Sequence, residues 1–284
     1  MFRKNILSFA SMFLLQLSLI ACSTQAPELT ASLEAVTQSS VSQEASDKKP
    51  LYYGLGAKIE GVNKLTVSES GLNFNSFLPN NIDLRGAGLP PIYNQGHSNA
   101  CGGFATAHGL AEYLLRKKGN QTPLSPRFVW NFARMKDNSL GKDAGVYLKT
   151  IEDVTVNVGM VPETDFPFPT LQQMQNINIY NAFLSEAPPP LLVKKAQNLR
   201  LSQCITKVTS LAGMKEALAK GMPVVFLMEI YESIFHTGSN GNIVMPSPKA
   251  GDKDHGGHFV LCVGYNEQKQ QLIIRNSWGT QWGA

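Results

Sequence analysis

Gln95, Cys101, His258 and Asn276 have the types and the order for acyl transfer to a thiol. A thiol attacks as thiolate, and a free cysteine with a pKa of about 8.5 is only a few per cent ionised at neutral pH. Two devices lower that value: the partial positive charge at a helix N-terminus and a neighbouring imidazolium. Cys101 heads an apolar stripe of Phe104, Ala107, Ala111, Leu114 and Leu115 that runs to Arg116-Lys117-Lys118 and stops at Gly119, so it opens a helix. A side-chain amide stands six residues earlier, at Gln95. His258 precedes an apolar run from Phe259 to Tyr265, and the amide oxygen of Asn276 can accept from an imidazole and fix its ring. Taken singly each has a plainer reading: a buried structural cysteine, a Gln-Gly turn, a histidine packed at a strand start and a turn asparagine.

The conjunction decides between them. Gln95-Gly96-His97-Ser98-Asn99-Ala100-Cys101-Gly102-Gly103-Phe104-Ala105, Gly257-His258-Phe259-Val260 and Asn276-Ser277-Trp278-Gly279-Thr280-Gln281-Trp282-Gly283 together resemble the papain-like cysteine peptidases. Leu78-Pro79-Asn80-Asn81-Ile82-Asp83-Leu84-Arg85 resembles the first residues of the mature family domain. The resemblance implies Cys101 as nucleophile, His258 as base, Asn276 as its orienting partner and Gln95 in the oxyanion hole. It further implies Trp278 as a cover over the His–Asn bond, Gly145 and Gly257 as walls that pair with extended substrate, and Leu227 in the pocket two places before the scissile bond. No metal or organic cofactor is required. His255, beside Asp254, competes with His258 for the base; His255-Gly256-Gly257-His258 offers two histidines without further ligands, a weak metal signal.

Three departures stand out. Gly102 follows the nucleophile where tryptophan is usual, and Gly102-Gly103 is expected to open space beside Cys101. Ser98 removes the family bridge to a cysteine three positions before the nucleophile. Family domains continue past the Trp-Gly pair, so the domain, 78–284, is expected to be cut short at its C-terminus.

Around the site, Ser125-Pro126 caps a helix through about Met135, and Leu148, Ile151, Val154 and Val158 mark another closed by Gly159. After Pro188-Pro189-Pro190 the text turns to strands, Ile205–Val208, Val224–Ile230, Phe259–Tyr265 and Leu272–Asn276, with one helix from Ser210 to Gly221. Helices first and an antiparallel sheet second make an α+β fold, and the family form is two-lobed with the site in the cleft between a helical and a β lobe.

Arg3 and Lys4 precede an apolar run from Ile6 to Ile20, an export signal over 1–21 that is short for a membrane span. Leu19-Ile20-Ala21-Cys22 resembles the bacterial lipoprotein box. That implies lipidation at Cys22 and, with Ser23 next, an outer-membrane address in a bacterial cell envelope. Residues 22–50 hold no aromatic side chain and read as a disordered tether. Residues 51–77 read as a propeptide or a packing segment. Cys204 and Cys262 remain as a disulfide or as free thiols. The formal charge of +4, falling to +2 once Arg3 and Lys4 leave, argues against nucleic acid.

The expected protein is a lipid-anchored cysteine-type endopeptidase that takes peptide or protein substrates and meets the membrane through its N-terminal anchor. Oligomeric state stays open. The alternatives are an inactive papain-fold lipoprotein with a peptide-binding surface, or a related acyl transferase.

Overall fold

The computed structural model describes residues 53–59, 78–201, 208, 210–231, 234–235 and 255–283, and the backbone alone of Leu15, Gln16 and Asp254. The helical half begins with α1, which runs without a break through Cys101–Gly103, Phe104–Ala111 and Glu112–Lys117, the middle stretch in π geometry. Every residue from Cys101 to Tyr113 is buried. This corrects the expectation of a one-sided stripe: α2 (Pro126–Lys136), α3 (Leu148–Asp153, continued in π geometry over Val154–Val158) and the sheet enclose α1 on all sides. Gly102-Gly103 is corrected likewise. A Cβ on Gly103 would stand 2.3 Å from the Pro126 carbonyl oxygen, and one on Gly102 would stand 2.9 Å from the Ile151 side chain. The pair lets α2 and α3 close on the head of α1 and leaves no space there.

Local signals set the helix ends. The Ser125 hydroxyl accepts from the Phe128 N–H with Pro126 in the first turn, and Gly159, at φ 99°, closes α3. Three helices follow: α4 (Leu171–Met174), α5 (Ile177–Ser185) and α6 (Pro190–Ala196). The strand text expected straight after Pro188-Pro189-Pro190 is therefore corrected. Pro190 sits in a helix's first turn, where its missing N–H is without cost. The expected strand at 205–208 falls outside the described residues except for Val208, and Cys204 lies outside them too.

The sheet half contains α7 (Leu211–Ala219), capped by Ser210, and the strands β4 (Val224–Tyr231), β5 (Asp254–Asn266) and β6 (Gln271–Arg275). β5 is central and antiparallel to both neighbours, with Val224 opposite Cys262 and Leu261 opposite Arg275. β2 (Asn81–Asp83) pairs with the far end of β5, so the start of the domain is sewn to its C-terminal half. Two short strands, β1 (Ala57–Lys58) and β3 (Val146–Tyr147), pair in parallel, and Ala57 also pairs with Gly257 of β5. Leu15 and Gln16, inside the expected export signal, lie antiparallel against Met228 and Leu227. Among the described residues no helix is long and apolar enough to cross a membrane. Cys262 is a buried free thiol.

Candidate active site

Cys101 and His258 come from opposite halves, one at the head of α1 and the other in β5. Both are completely buried. The thiol accepts two backbone N–H groups, from Phe259 at 3.4 Å and from Gly56 at 3.2 Å. Since Phe259 follows His258, that contact brings thiol and imidazole into one neighbourhood.

The imidazole is oriented from behind. His258 Nε2 lies 2.8 Å from Asn276 Oδ1, and the same oxygen accepts the Ser277 N–H at 2.8 Å. An oxygen that accepts from Ser277 also accepts from the ring, so Nε2 carries the proton and Nδ1 keeps its lone pair. Nδ1 has no hydrogen-bond partner among the described residues. The Trp278 ring packs against the imidazole, with centroids 4.7 Å apart, and Trp282 meets Trp278 edge-on at 5.0 Å. Trp278, expected to cover the His–Asn bond, is seated on the imidazole that makes it.

Gln95 is held from both halves. Ser277 Oγ donates to its Oε1 at 2.6 Å, the Gln95 backbone N–H donates to the Ser277 carbonyl at 2.8 Å, and Ser98 Oγ donates to the Gln95 carbonyl at 2.8 Å. With Oε1 occupied as acceptor, Nε2 is the donor face, and it donates to Ser98 O at 2.7 Å and Gly54 O at 3.0 Å. Ser277 was in plain view in the Asn-Ser-Trp-Gly motif, yet its grip on Gln95 was not read from the sequence. Its position between Asn276 and Trp278 was the available signal.

The cleft is filled by the chain itself. Residues 53–59 run across it: the Gly54 carbonyl lies on Gln95, the Gly56 N–H on the thiol, and the Gly56 carbonyl accepts from Val146 N–H at 2.9 Å. Tyr53 stacks on Trp278 with centroids 4.4 Å apart and planes 12° apart. Gly145 and Gly257, the two expected walls, both meet this segment; a Cβ on either would stand 2.7 Å from its backbone. Glycine is required on the segment as well. A Cβ on Gly54 or Gly56 would come within 1.9 Å of the carbonyl oxygen of Ser98 or Asn99. Leu227 is fully buried in β4 opposite Phe259, in the core cluster.

Burial sets the protonation states. With water excluded, desolvation pushes the Cys101 thiol up to about 12 against the backbone donors that pull it down. Desolvation also lowers His258 to about 4, opposed by its bond to Asn276. The closed cleft thus holds a neutral thiol beside a neutral imidazole. His255 sets its ring edge-on to Phe235 at 5.2 Å, and Phe235 in turn stacks on Trp278 at 6.0 Å. Among the described residues no group of three or more metal-ligating side chains is assembled.

One clamp escaped the sequence reading. Asp143 accepts the Asn99 N–H at 2.8 Å and the Tyr180 hydroxyl at 2.7 Å, while Asn99 Nδ2 donates to the Asp143 carbonyl at 2.9 Å. These bonds tie the loop before Cys101 to the loop carrying Gly145, where Ser98 leaves no cysteine to bridge. Asp143→Ala strands two donors, the Asn99 N–H and the Tyr180 hydroxyl, and is expected to lower the unfolding free energy by about 2–3 kcal/mol. An unchanged denaturant midpoint and slope would show the clamp to be idle.

A papain fold with a thiol at a helix head, an imidazole and an amide in register, and a glutamine beside them defines a class, and the chain belongs to it: residues 78–284 match the papain family of cysteine proteases. Mouse pro-cathepsin H is 29% identical over 209 residues, 72% of this chain and 58% of its own length. A peptidase C1-like protein of Acanthamoeba polyphaga mimivirus is 26% identical over 200 residues, 67% of this chain and 60% of its own. The chain thus spans about three fifths of these relatives. Among solved structures, xylellain, a cysteine protease from Xylella fastidiosa, aligns with a TM-score of 0.65 at 25% identity, covering 85% of this chain and 90% of its own.

Proposed function

We propose that this protein is a cysteine-type endopeptidase held in an inhibited state by its own residues 53–59. The observation that carries the reading is that residues 53–59 meet both Cys101 and Gln95, through the Gly56 N–H and the Gly54 carbonyl, while Tyr53 stacks on the Trp278 that covers the Asn276-bonded His258. In the open cleft a substrate peptide takes the place of that stretch. Nδ1 of His258 accepts the Cys101 proton, the thiolate attacks the peptide carbonyl carbon, and the developing oxyanion is held by Gln95 Nε2. The imidazolium then protonates the leaving amine, and water attacks the thioester to release the acid and restore the thiol.

The segment itself resists this chemistry. It presents an N–H to the sulfur, and it is clamped to both walls at Val146 and Gly257. Residues 51–77 therefore act as an inhibitory propeptide on this reading, with 53–59 as the part that closes the site. The test is hydrolysis of quenched-fluorescent peptides before and after the segment is displaced. Turnover that appears on displacement and vanishes in Cys101→Ala supports the proposal. A displaced, folded protein that binds peptides and cleaves none supports the peptide-binding alternative, and amide products formed on adding an amine acceptor support the acyl transferase.

We also propose a lipid anchor at Cys22 in a bacterial cell envelope, supported by Leu19-Ile20-Ala21-Cys22 and the polar stretch that follows. Two or more acyl chains anchor stably where one is marginal. Cys22→Ser is expected to move the protein out of the membrane fraction or leave it unprocessed. Wild-type protein found free, with a mature N-terminus elsewhere, contradicts the anchor.

A further inference from the structure

The strand in the cleft carries a charged side chain to a place built for one. Lys58 of β1 lies opposite Tyr147 of β3, its Nζ 4.7 Å from the centroid of the Tyr147 ring and 3.9 Å from Asp137 Oδ2. The Asp137 side chain is 6% exposed and is fixed by two donors, Thr150 Oγ1 at 2.6 Å to Oδ1 and Tyr147 N–H at 3.2 Å to Oδ2. Asp137 also stands at the C-cap of α2. The negative end of a helix disfavours a carboxylate and favours a cation, so this corner combines a buried anion, a helix C-terminus and an aromatic face. Neighbouring Lys136 turns away to Asp153, at 2.8 Å.

We propose that Asp137 and Tyr147 form a subsite for a basic side chain, with Lys58 as its built-in occupant, and that the protein prefers peptides placing Lys or Arg against Tyr147. The proposal rests on the peptidase reading for its biological use and on the geometry of the corner for its existence. Because Lys58 is two residues from Gly56, whose N–H faces the sulfur, the preferred position lies within about three residues of the reacting carbonyl, at the spacing of an extended chain. Arginine is expected to do at least as well as lysine, since its planar guanidinium stacks on an aromatic ring.

The test uses labelling of Cys101, which does not depend on turnover. Full-length protein carrying Gly56→Val, which cannot keep the segment in the cleft, is treated with peptidyl epoxides bearing Arg or the uncharged, shorter norleucine at each of the three positions in turn. Arg at one position is expected to speed labelling about tenfold over norleucine, the effect of a partly desolvated ion pair with a cation–π contact. Asp137→Asn is expected to abolish that difference without slowing the norleucine probe, Tyr147→Phe to keep most of it, and Tyr147→Ala to lose part. A second arm leaves the cleft closed: Lys58→Met alone is expected to raise labelling of Cys101 several-fold, because the segment loses its anchor. Equal rates for Arg and norleucine probes at all three positions, or an Arg preference that survives Asp137→Asn, overturns the subsite. An Arg preference in a protein that cleaves no amide bond keeps the subsite and overturns the peptidase reading.

Discussion

Gly56→Val is expected to raise the rate of Cys101 alkylation by about two to three orders of magnitude near pH 7. In the closed cleft the thiol has no exposed surface, so a reagent reaches it only in the open fraction. Four segment contacts hold it shut: Gly54 O on Gln95, Gly54 N–H on Gly96, Gly56 N–H on the sulfur and Gly56 O on Val146. At about 1 kcal/mol net for each, they favour closure by some 10²- to 10³-fold. A valine at 56 sets its Cβ 1.9 Å from the Asn99 carbonyl oxygen, backbone that cannot turn aside, and the segment must leave. The core is untouched, so the denaturant midpoint of 78–284 should change little.

Acid should act in the same direction on the wild type. The closed form keeps His258 unprotonated down to about 4, while water-exposed histidine takes its proton near 6.5. Because the folded value is depressed, closure holds its full advantage above about 6.5 and loses it as pH falls toward about 4, by about 1.4 kcal/mol per unit. Wild-type labelling that is insensitive to Gly56→Val and to acid would mean that residues 53–59 do not guard the thiol.

The second large effect concerns roles. In the Gly56→Val background Cys101→Ala is expected to abolish peptide hydrolysis, and His258→Ala to reduce it by about 10³-fold or more, the loss of a positioned base. Gln95→Ala is expected to cost about 10²- to 10³-fold as one oxyanion donor, and Asn276→Ala to leave a measurable remainder. His255→Ala should be mild, because its ring packs on Phe235 whereas His258 is the imidazole bonded to Asn276. Steady-state kinetics with circular dichroism as a folding control decides it. A dead His255→Ala beside an active His258→Ala would reverse the assignment of the base.

The chemistry was legible because its residues sit in motifs with fixed local context. Cys101 at a helix head, His258 before an apolar strand and Asn276 in Asn-Ser-Trp-Gly are each set by near neighbours in the chain, as are the caps at Ser125, Gly159 and Ser210. What the text concealed depends on partners far apart. Tyr53-Gly54-Leu55-Gly56-Ala57-Lys58 shows no periodicity of its own, since its strand is defined by Val146 and Gly257, some 90 and 200 residues on. The all-round burial of α1 was hidden for the same reason, as was the Asp143 clamp, whose donors come from Asn99 and Tyr180. Residues 171–196 were passed over because Pro188-Pro189-Pro190 reads as a break, whereas Pro190 begins a helix. The neutral state of Cys101 follows from the buried segment and from nothing in the nucleophile motif.

The most direct measurement is to treat reduced protein, wild type and Gly56→Val, with an epoxide thiol trap at pH 5.5 and map the labelled cysteine by mass spectrometry. Opening returns water to both groups, and the thiol–imidazole pair can then exist as thiolate and imidazolium, reactive where an ordinary thiol is protonated. The account predicts rapid, selective labelling of Cys101 in Gly56→Val, slow labelling in the wild type, and little at Cys204 or the buried Cys262 in either. Equal labelling of all three cysteines, or an open and folded protein whose Cys101 reacts only at alkaline pH, would contradict it.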